Sequence, residues 1–126
     1  MSNLIIEPTK NTPLVSFDLE SNQYVISGVS TPMNAMEFYA PVMNWIKDNL
    51  DAIADSADFR IELPYYNSAS MKTILMTLQE IKKGCDLGKH WSISWVVEDE
   101  DEFMQEGGES FQELLEFEFN FIEKNS

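Results

Sequence analysis

A single α/β domain, with a mixed β-sheet and helices mainly on one face, is the fold class the sequence predicts, and three observations predict it. The apolar period changes along the chain in the order strand, strand, helix, strand, helix, strand, helix, strand. The strand segments carry polar residues at alternate positions, among them Arg60, Glu62, Ser92, Ser94, Glu116 and Glu118, whereas a doubly wound sheet buries both faces of its central strands. The length of 126 residues fits one domain spanning 1–126, able to bury roughly 65–70% of the surface its unfolded chain would expose.

Residues 13–18 and 23–29 are strand-like and flank the polar turn Leu19-Glu20-Ser21-Asn22, which predicts an antiparallel hairpin. Ala35, Phe38, Tyr39, Val42, Ile46 and Leu50 then fall at helical spacing, so a first helix is expected from about Ala35 to Leu50, with Asn34 and Glu37 placed as a capping box. Phe59, Ile61 and Leu63 alternate with Arg60 and Glu62 in a half-buried strand that Pro64 closes. Met71, Ile74, Leu75, Leu78, Ile81 and Cys85 form one stripe of a second helix; Lys82 and Lys83 complement its negative end, and Gly84 or Gly88 terminates it.

Trp91, Ile93, Trp95 and Val97 alternate with Ser92 and Ser94 in the next strand. Between Glu100 and Phe111 a short or broken helix is expected, because Gly107-Gly108 interrupts the pattern of Phe103, Met104 and Phe111. Leu115, Phe117, Phe119 and Phe121 alternate with Glu116, Glu118 and Asn120, which predicts a last strand over Leu115–Phe121.

Composition narrows the function. Eight basic against twenty-two acidic residues give a net charge of −14, a field that repels nucleic acid and anionic lipid, so neither is an expected partner. No apolar run approaches the length of a membrane span, and Met1-Ser2-Asn3-Leu4-Ile5-Ile6-Glu7 lacks the basic region and apolar core of a signal peptide. With one cysteine, Cys85, and hence no intramolecular disulfide, a cytoplasmic protein is expected.

Catalytic constellations are poorly supported. The lone histidine, His90, stands at a loop-to-strand junction where a structural role is the simpler reading, and Cys85 reads as a small apolar residue. The chain lacks a glycine-rich phosphate loop, a dinucleotide fingerprint and a Cys/His cluster at metal spacing, so no cofactor or metal is expected and the chain is not read as an enzyme. Glu98-Asp99-Glu100-Asp101-Glu102 has neither the alternation nor the central glycine of a calcium loop and reads as a solvated helix start. Most of the methionines are core, while Met36 and Met71, near the two helix starts, suit a docking surface with Phe38, Tyr39 and Tyr65 or Tyr66.

The most distinctive stretch is Tyr65-Tyr66-Asn67-Ser68-Ala69-Ser70-Met71-Lys72, where an apolar strand gives way to an amphipathic helix with hydroxyl side chains at its mouth. Local physics explains it as N-capping by Asn67 or Ser68, worth about 1 kcal/mol. The same free N–H groups and positive dipole end also accommodate a phosphate.

That run resembles the Tyr-Leu-Asn-Thr/Ser-Ser-Ser-x-Lys segment of the SiaC family of bacterial regulatory phosphoproteins. The similarity extends to Pro32, Asn34, Glu37, Phe38, Val42 and Trp45 around the first helix and to Gly88, Ile93 and Trp95 after the second, covering about residues 8 to 121. The resemblance implies a STAS-like fold, like that of anti-sigma factor antagonists, and a part in a partner-switching module that controls cyclic-di-GMP and biofilm formation. It implies that a dedicated serine/threonine kinase phosphorylates Ser68, that a PPM-type phosphatase reverses this, and that the unmodified protein binds a diguanylate cyclase or other regulatory target. Tyr65, Tyr66, Asn67, Ser70, Met71 and Lys72 are then the expected partner-binding residues.

Two positions depart from related patterns. Ala69 stands where the family often has a second hydroxyl, and Asn67 stands where anti-sigma factor antagonists usually carry aspartate, which favours the SiaC branch over that alternative. A second alternative is a domain that holds a small anion or other ligand noncovalently at the same helix start, and it requires a concave pocket there.

Overall fold

The computed structural model describes residues 2–124. Its elements run β1 (Leu4–Ile6), β2 (Leu14–Asp18), β3 (Gln23–Ser27), α1 (Ala35–Asp48), β4 (Ser56–Glu62), α2 (Ser68–Asp86), β5 (His90–Glu98), α3 (Glu102–Leu115) and β6 (Asn120–Lys124). The six strands lie in sequence order in one sheet. The first two pairings, β1 with β2 and β2 with β3, are antiparallel, and the remaining three are parallel. Each parallel step requires a crossover, and the three crossovers are the three helices.

Helix α2 packs between α1 and α3, so the three helices form one layer over the sheet. Beneath them lies the core, in which Phe17, Tyr24, Phe59, Ile61, Leu78, Ile81, Ile93 and Trp95 are almost fully buried. The opposite strand face carries the polar residues the alternation predicts: Ser92 and Ser94 donate to Asp58 at 2.7 and 2.9 Å, and Lys124 donates to Glu62 at 2.8 Å. No described helix is long and apolar enough to cross a membrane.

Three expectations need correction. Strand β1 pairs at the edge in a segment too short to show periodicity from sequence. The last strand begins at Asn120, not Leu115, because Leu115 completes the buried stripe Met104, Gly108, Phe111 and Leu115 of α3. Glu116 then ends that helix in the left-handed conformation at φ 52°, and Phe119 stacks on Trp95 with ring centroids 5.9 Å apart. Glu116 and Glu118 consequently lie between α3 and β6 rather than on a strand.

The third correction concerns Gly107-Gly108, which does not break α3. Each glycine costs about 1 kcal/mol of helix propensity relative to alanine, but each stands where the helix approaches an aromatic side chain. A Cβ on Gly107 would strike the Tyr66 hydroxyl, and one on Gly108 would lie 2.5 Å from the Trp95 ring. The glycines permit this contact, and Trp95 completes it by donating its indole N–H to the Met104 carbonyl at 2.9 Å.

Candidate functional site

The parallel strands end on the side of the sheet where the helices begin, so the starts of α1, α2 and α3 lie at one end of the molecule. Beyond β4 the chain continues beside the segment after β3 through a parallel bridge between Ser30 and Tyr66. The Ser30 N–H donates to the Tyr65 carbonyl at 2.9 Å, and the Asn67 N–H donates to the Ser30 carbonyl at 3.1 Å. The α2 mouth is thereby tied to the approach to α1.

Asn67 caps α2 from an extended conformation, its side-chain oxygen accepting the Ser70 N–H at 3.0 Å. Of the two residues named as candidate caps, it is Asn67 that does so; Ser68 is the first helical residue, exposed, with the mouth in front of it. At the corresponding position of the other helices, Asn34 caps α1 through the Glu37 N–H at 3.0 Å and Asp101 caps α3 through the Met104 N–H at 3.1 Å. The acidic run is therefore a helix start.

Ser70 is 0% exposed. Its hydroxyl donates to the Ser30 carbonyl at 3.1 Å and accepts from the Ser30 hydroxyl at 3.1 Å. Because Ser30 has one hydroxyl proton, the 2.6 Å contact between Tyr39 and Ser30 is donated by Tyr39. A directed chain, Tyr39 to Ser30 to Ser70 to the Ser30 carbonyl, thus satisfies three buried hydroxyls. Thr73, also buried, donates to the Ser70 carbonyl at 2.9 Å.

Burial pushes the Tyr39 phenol up to about 12. The unfolded chain releases that proton near pH 10 while the native chain holds it. The associated stability is complete below pH 10 and should be lost as the pH rises from 10 to about 12. Urea midpoints across this range, compared with Tyr39→Phe, check it: the variant should show a shallower alkaline decline.

The sequence-predicted partner residues divide by exposure. Tyr65, Ser68, Met71 and Lys72 face solvent and Asn67 is half-buried, whereas Tyr66 and Ser70 are buried and support the mouth from inside. Tyr39, an expected docking residue, is likewise buried, and Phe38 is half-buried. Sequence reasoning missed Phe103, which is exposed at the start of α3 and stacks on Tyr65 with centroids 5.8 Å apart at 23°. Met33, Met36, Tyr65, Met71 and Phe103 give this end of the molecule an exposed apolar surface.

Charge distinguishes α2 from its neighbours. Helices α1 and α3 carry Glu37 and Glu102 in their first turns, as the dipole favours, whereas the first turn of α2 has no acid and Lys72 follows one turn after Ser68. The ion pairs among the described residues involve Arg60, Lys83, Lys89 and Lys124, leaving Lys72 without a carboxylate partner. His90 starts β5 at the opposite sheet end from Ser68. The depression nearest the mouth, about 200 Å³, is lined by Met71, Phe103 and residues of α3 rather than by Ser68. No described group of three or more His, Cys, Asp or Glu side chains is placed to hold a metal ion.

The topology and this capped, aromatic-flanked mouth define a mixed α/β domain that presents helix N-termini at one end. The model of the SiaC family regulatory phosphoproteins matches residues 6–124, and the chain belongs to that family. An uncharacterized protein of Pseudomonas aeruginosa strain UCBPP-PA14 is 27% identical over 119 residues, covering 94% of each chain. SiaC of Pseudomonas aeruginosa superposes with a TM-score of 0.84 at 25% identity over the whole of both chains. The crystal structure of the diguanylate cyclase SiaD in complex with its activator SiaC, from the same species, contains a chain matching with a TM-score of 0.83 at 25% identity, over 98% of this chain and 99% of that one.

Proposed function

We propose that this protein is a cytoplasmic, phosphorylation-controlled adaptor in a partner-switching module, and that unmodified Ser68 permits the α2 mouth to bind and regulate a diguanylate cyclase. The reading is supported by SiaC in the solved complex, which is the activator of such a cyclase. A serine/threonine kinase and a PPM-type phosphatase set the state of Ser68. The protein itself performs no catalysis.

One observation carries the reading: Ser68 is an exposed hydroxyl at the only one of the three helix starts without an acid, while Ser70 and Thr73 are buried. A kinase reaches Ser68 without disturbing the core. The phosphate adds about −1.5 to −2 charges and three acceptor oxygens. It is well accommodated by the free N–H groups of α2 yet places desolvation and repulsion amid Tyr65, Met71 and Phe103, the apolar surface offered to a partner. Tyr65, Asn67, Met71 and Lys72 make the contact, with Tyr66 and Ser70 holding the mouth's shape.

The test uses a purified diguanylate cyclase from the organism that makes this protein. Ser68→Ala should bind it and support its activity as the wild type does; Ser68→Asp should bind about tenfold more weakly, corresponding to 1.4 kcal/mol. Kinase treatment should add one phosphate, and peptide mapping should place it on Ser68. Equal binding by wild type, Ser68→Ala, Ser68→Asp and phosphorylated protein would overturn the switch.

A further inference from the structure

The methionines of this fold are divided by place. Of the six among the described residues, Met43 and Met104 are buried and Met76 is half-buried against the core, whereas Met33, Met36 and Met71 are exposed. The exposed ones all belong to the end of the molecule where the helices begin. Met33 precedes α1 and is 106% exposed, Met36 lies in the first turn of α1, and Met71 lies in the first turn of α2 and is 47% exposed. As an apolar side chain methionine is ordinarily packed, so a cluster of them in water runs against its usual preference and opens their thioether sulfurs to dissolved oxidants.

We propose that this set is an oxidation-sensitive site, in which a peroxide converts Met71 to its sulfoxide and thereby weakens partner binding at the α2 mouth, a second input beside phosphate on Ser68. The proposal rests on the adaptor reading and names a further regulation of the same surface. In the step, the thioether sulfur attacks one peroxide oxygen with a lone pair and the O–O bond breaks. The sulfur keeps that oxygen and is oxidised by two electrons; the proton of the transferred oxygen passes to the departing hydroxide, which leaves as water.

Met71 is the residue that matters most because it follows Ser68 by three positions, which makes the two side chains neighbours on the surface of α2. It also borders, with Phe103, the depression of about 200 Å³ beside the mouth. A sulfoxide there replaces an apolar contact with a strong acceptor that must be stripped of water when a partner covers it. The group is neutral, so its effect, unlike that of phosphate, is independent of salt.

Other oxidisable sulfurs are shielded. Cys85 is half-buried, its S–H donates to the Trp91 carbonyl at 3.1 Å, and burial pushes the thiol up, which leaves little of the reactive thiolate. Met104, 1% exposed, and Met43 are reached only when the fold opens, so attack on the exposed set spares the core.

The test treats the full chain with hydrogen peroxide and follows it by intact mass, peptide mapping and binding to the same purified cyclase. Mapping should find Met33, Met36 and Met71 oxidised and Met43 and Met104 unmodified, at unaltered melting temperature, and it sets aside Met1, which lies outside the described residues. Oxidation should weaken binding about tenfold, by the same factor at low and high salt. Methionine sulfoxide reductases for the two sulfur epimers, supplied with dithiothreitol, should restore binding where dithiothreitol alone does not. Each variant is read against its own untreated protein: Met71→Leu should lose less than about twofold, and Met33→Leu with Met36→Leu should lose nearly as much as the wild type. Met71→Gln, a neutral polar stand-in for the sulfoxide, should bind more weakly before any peroxide is added.

Oxidation of Met43, Met104 or Cys85 ahead of Met71, full binding by protein that carries Met71 sulfoxide, or a loss that persists undiminished in Met71→Leu would overturn the proposal. Its failure and that of the adaptor reading are separable. A cyclase that responds to Ser68→Asp but not to oxidation removes this inference alone, and the converse keeps the methionine site and removes the phosphate switch. Untreated protein that does not bind the cyclase removes the adaptor reading and this inference with it.

Discussion

Gly108→Ala should destabilise the protein by about 2 kcal/mol, although alanine is the better helix former by about 1 kcal/mol. The two effects oppose each other, and geometry decides which wins. The added Cβ would lie 2.5 and 2.6 Å from two atoms of the Trp95 ring and 2.7 Å from Phe121. Retreat of the ring is resisted because Trp95 is 0% exposed and its N–H is bonded to the Met104 carbonyl. Moving α3 outward instead opens the contact between Phe111 and Trp95, whose centroids are 5.5 Å apart. For a chain of this size the melting temperature should fall by roughly 6–10 °C, while Ser110→Ala on the exposed side of the same helix should leave it unchanged or raise it slightly. A melting temperature for Gly108→Ala at or above that of the wild type would show that α3 does not approach Trp95 this closely.

The same glycine pair marks where sequence reasoning failed, and the reason is instructive. Read locally, Gly107-Gly108 weakens a helix; in the fold it permits contact with Tyr66 and Trp95, which are distant in sequence. Alternation of Phe117, Phe119 and Phe121 was legible and persists in their burial, but only Phe121 of the three lies in β6, because which residues pair with β5 depends on where α3 ends. Strong periodicity exposed α1, α2 and β4 because each buries one face through several repeats, and the start of β5 because Trp91, Ile93 and Trp95 alternate with serines, whereas three-residue β1 has too few residues to show a period.

At the site, the helix start and its cap were readable from Asn67-Ser68-Ala69-Ser70, since capping is a local interaction. Which serine faces solvent was not. That depends on Ser30 and Tyr39, brought in by a segment some forty residues away in the chain for Ser30, and no local pattern announces a buried hydroxyl chain. Phe103 escaped notice for the same reason, its place beside Tyr65 being set by the packing of α3 rather than by spacing in the sequence.

Ser70→Asp should lower the stability of the protein by at least about 3 kcal/mol, whereas Ser68→Asp, two residues earlier, should raise it by about 0.5 kcal/mol. At position 70 the carboxylate replaces a hydroxyl with no solvent exposure. It cannot donate to the Ser30 carbonyl 3.1 Å away and instead sets a negative charge against that oxygen, leaving the Ser30 hydroxyl as its main donor. Protonation relieves the charge, so the deficit should shrink as pH falls. At position 68 the carboxylate is exposed, meets the positive end of α2 where no other acid stands, and has Lys72 four residues on, in the favourable order of acid before base. Urea unfolding of both variants at neutral and mildly acidic pH reads each effect, with amide exchange at the mouth reporting whether the damage at position 70 is local. A Ser70→Asp protein as stable as the wild type would mean that Ser70 does not close the hydroxyl chain, and a Ser68→Asp protein losing more than about 1 kcal/mol would mean that the α2 mouth does not welcome negative charge. With the expected pattern, loss of partner binding in Ser70→Asp reflects a broken mouth, and loss in Ser68→Asp reflects charge placed on an intact one.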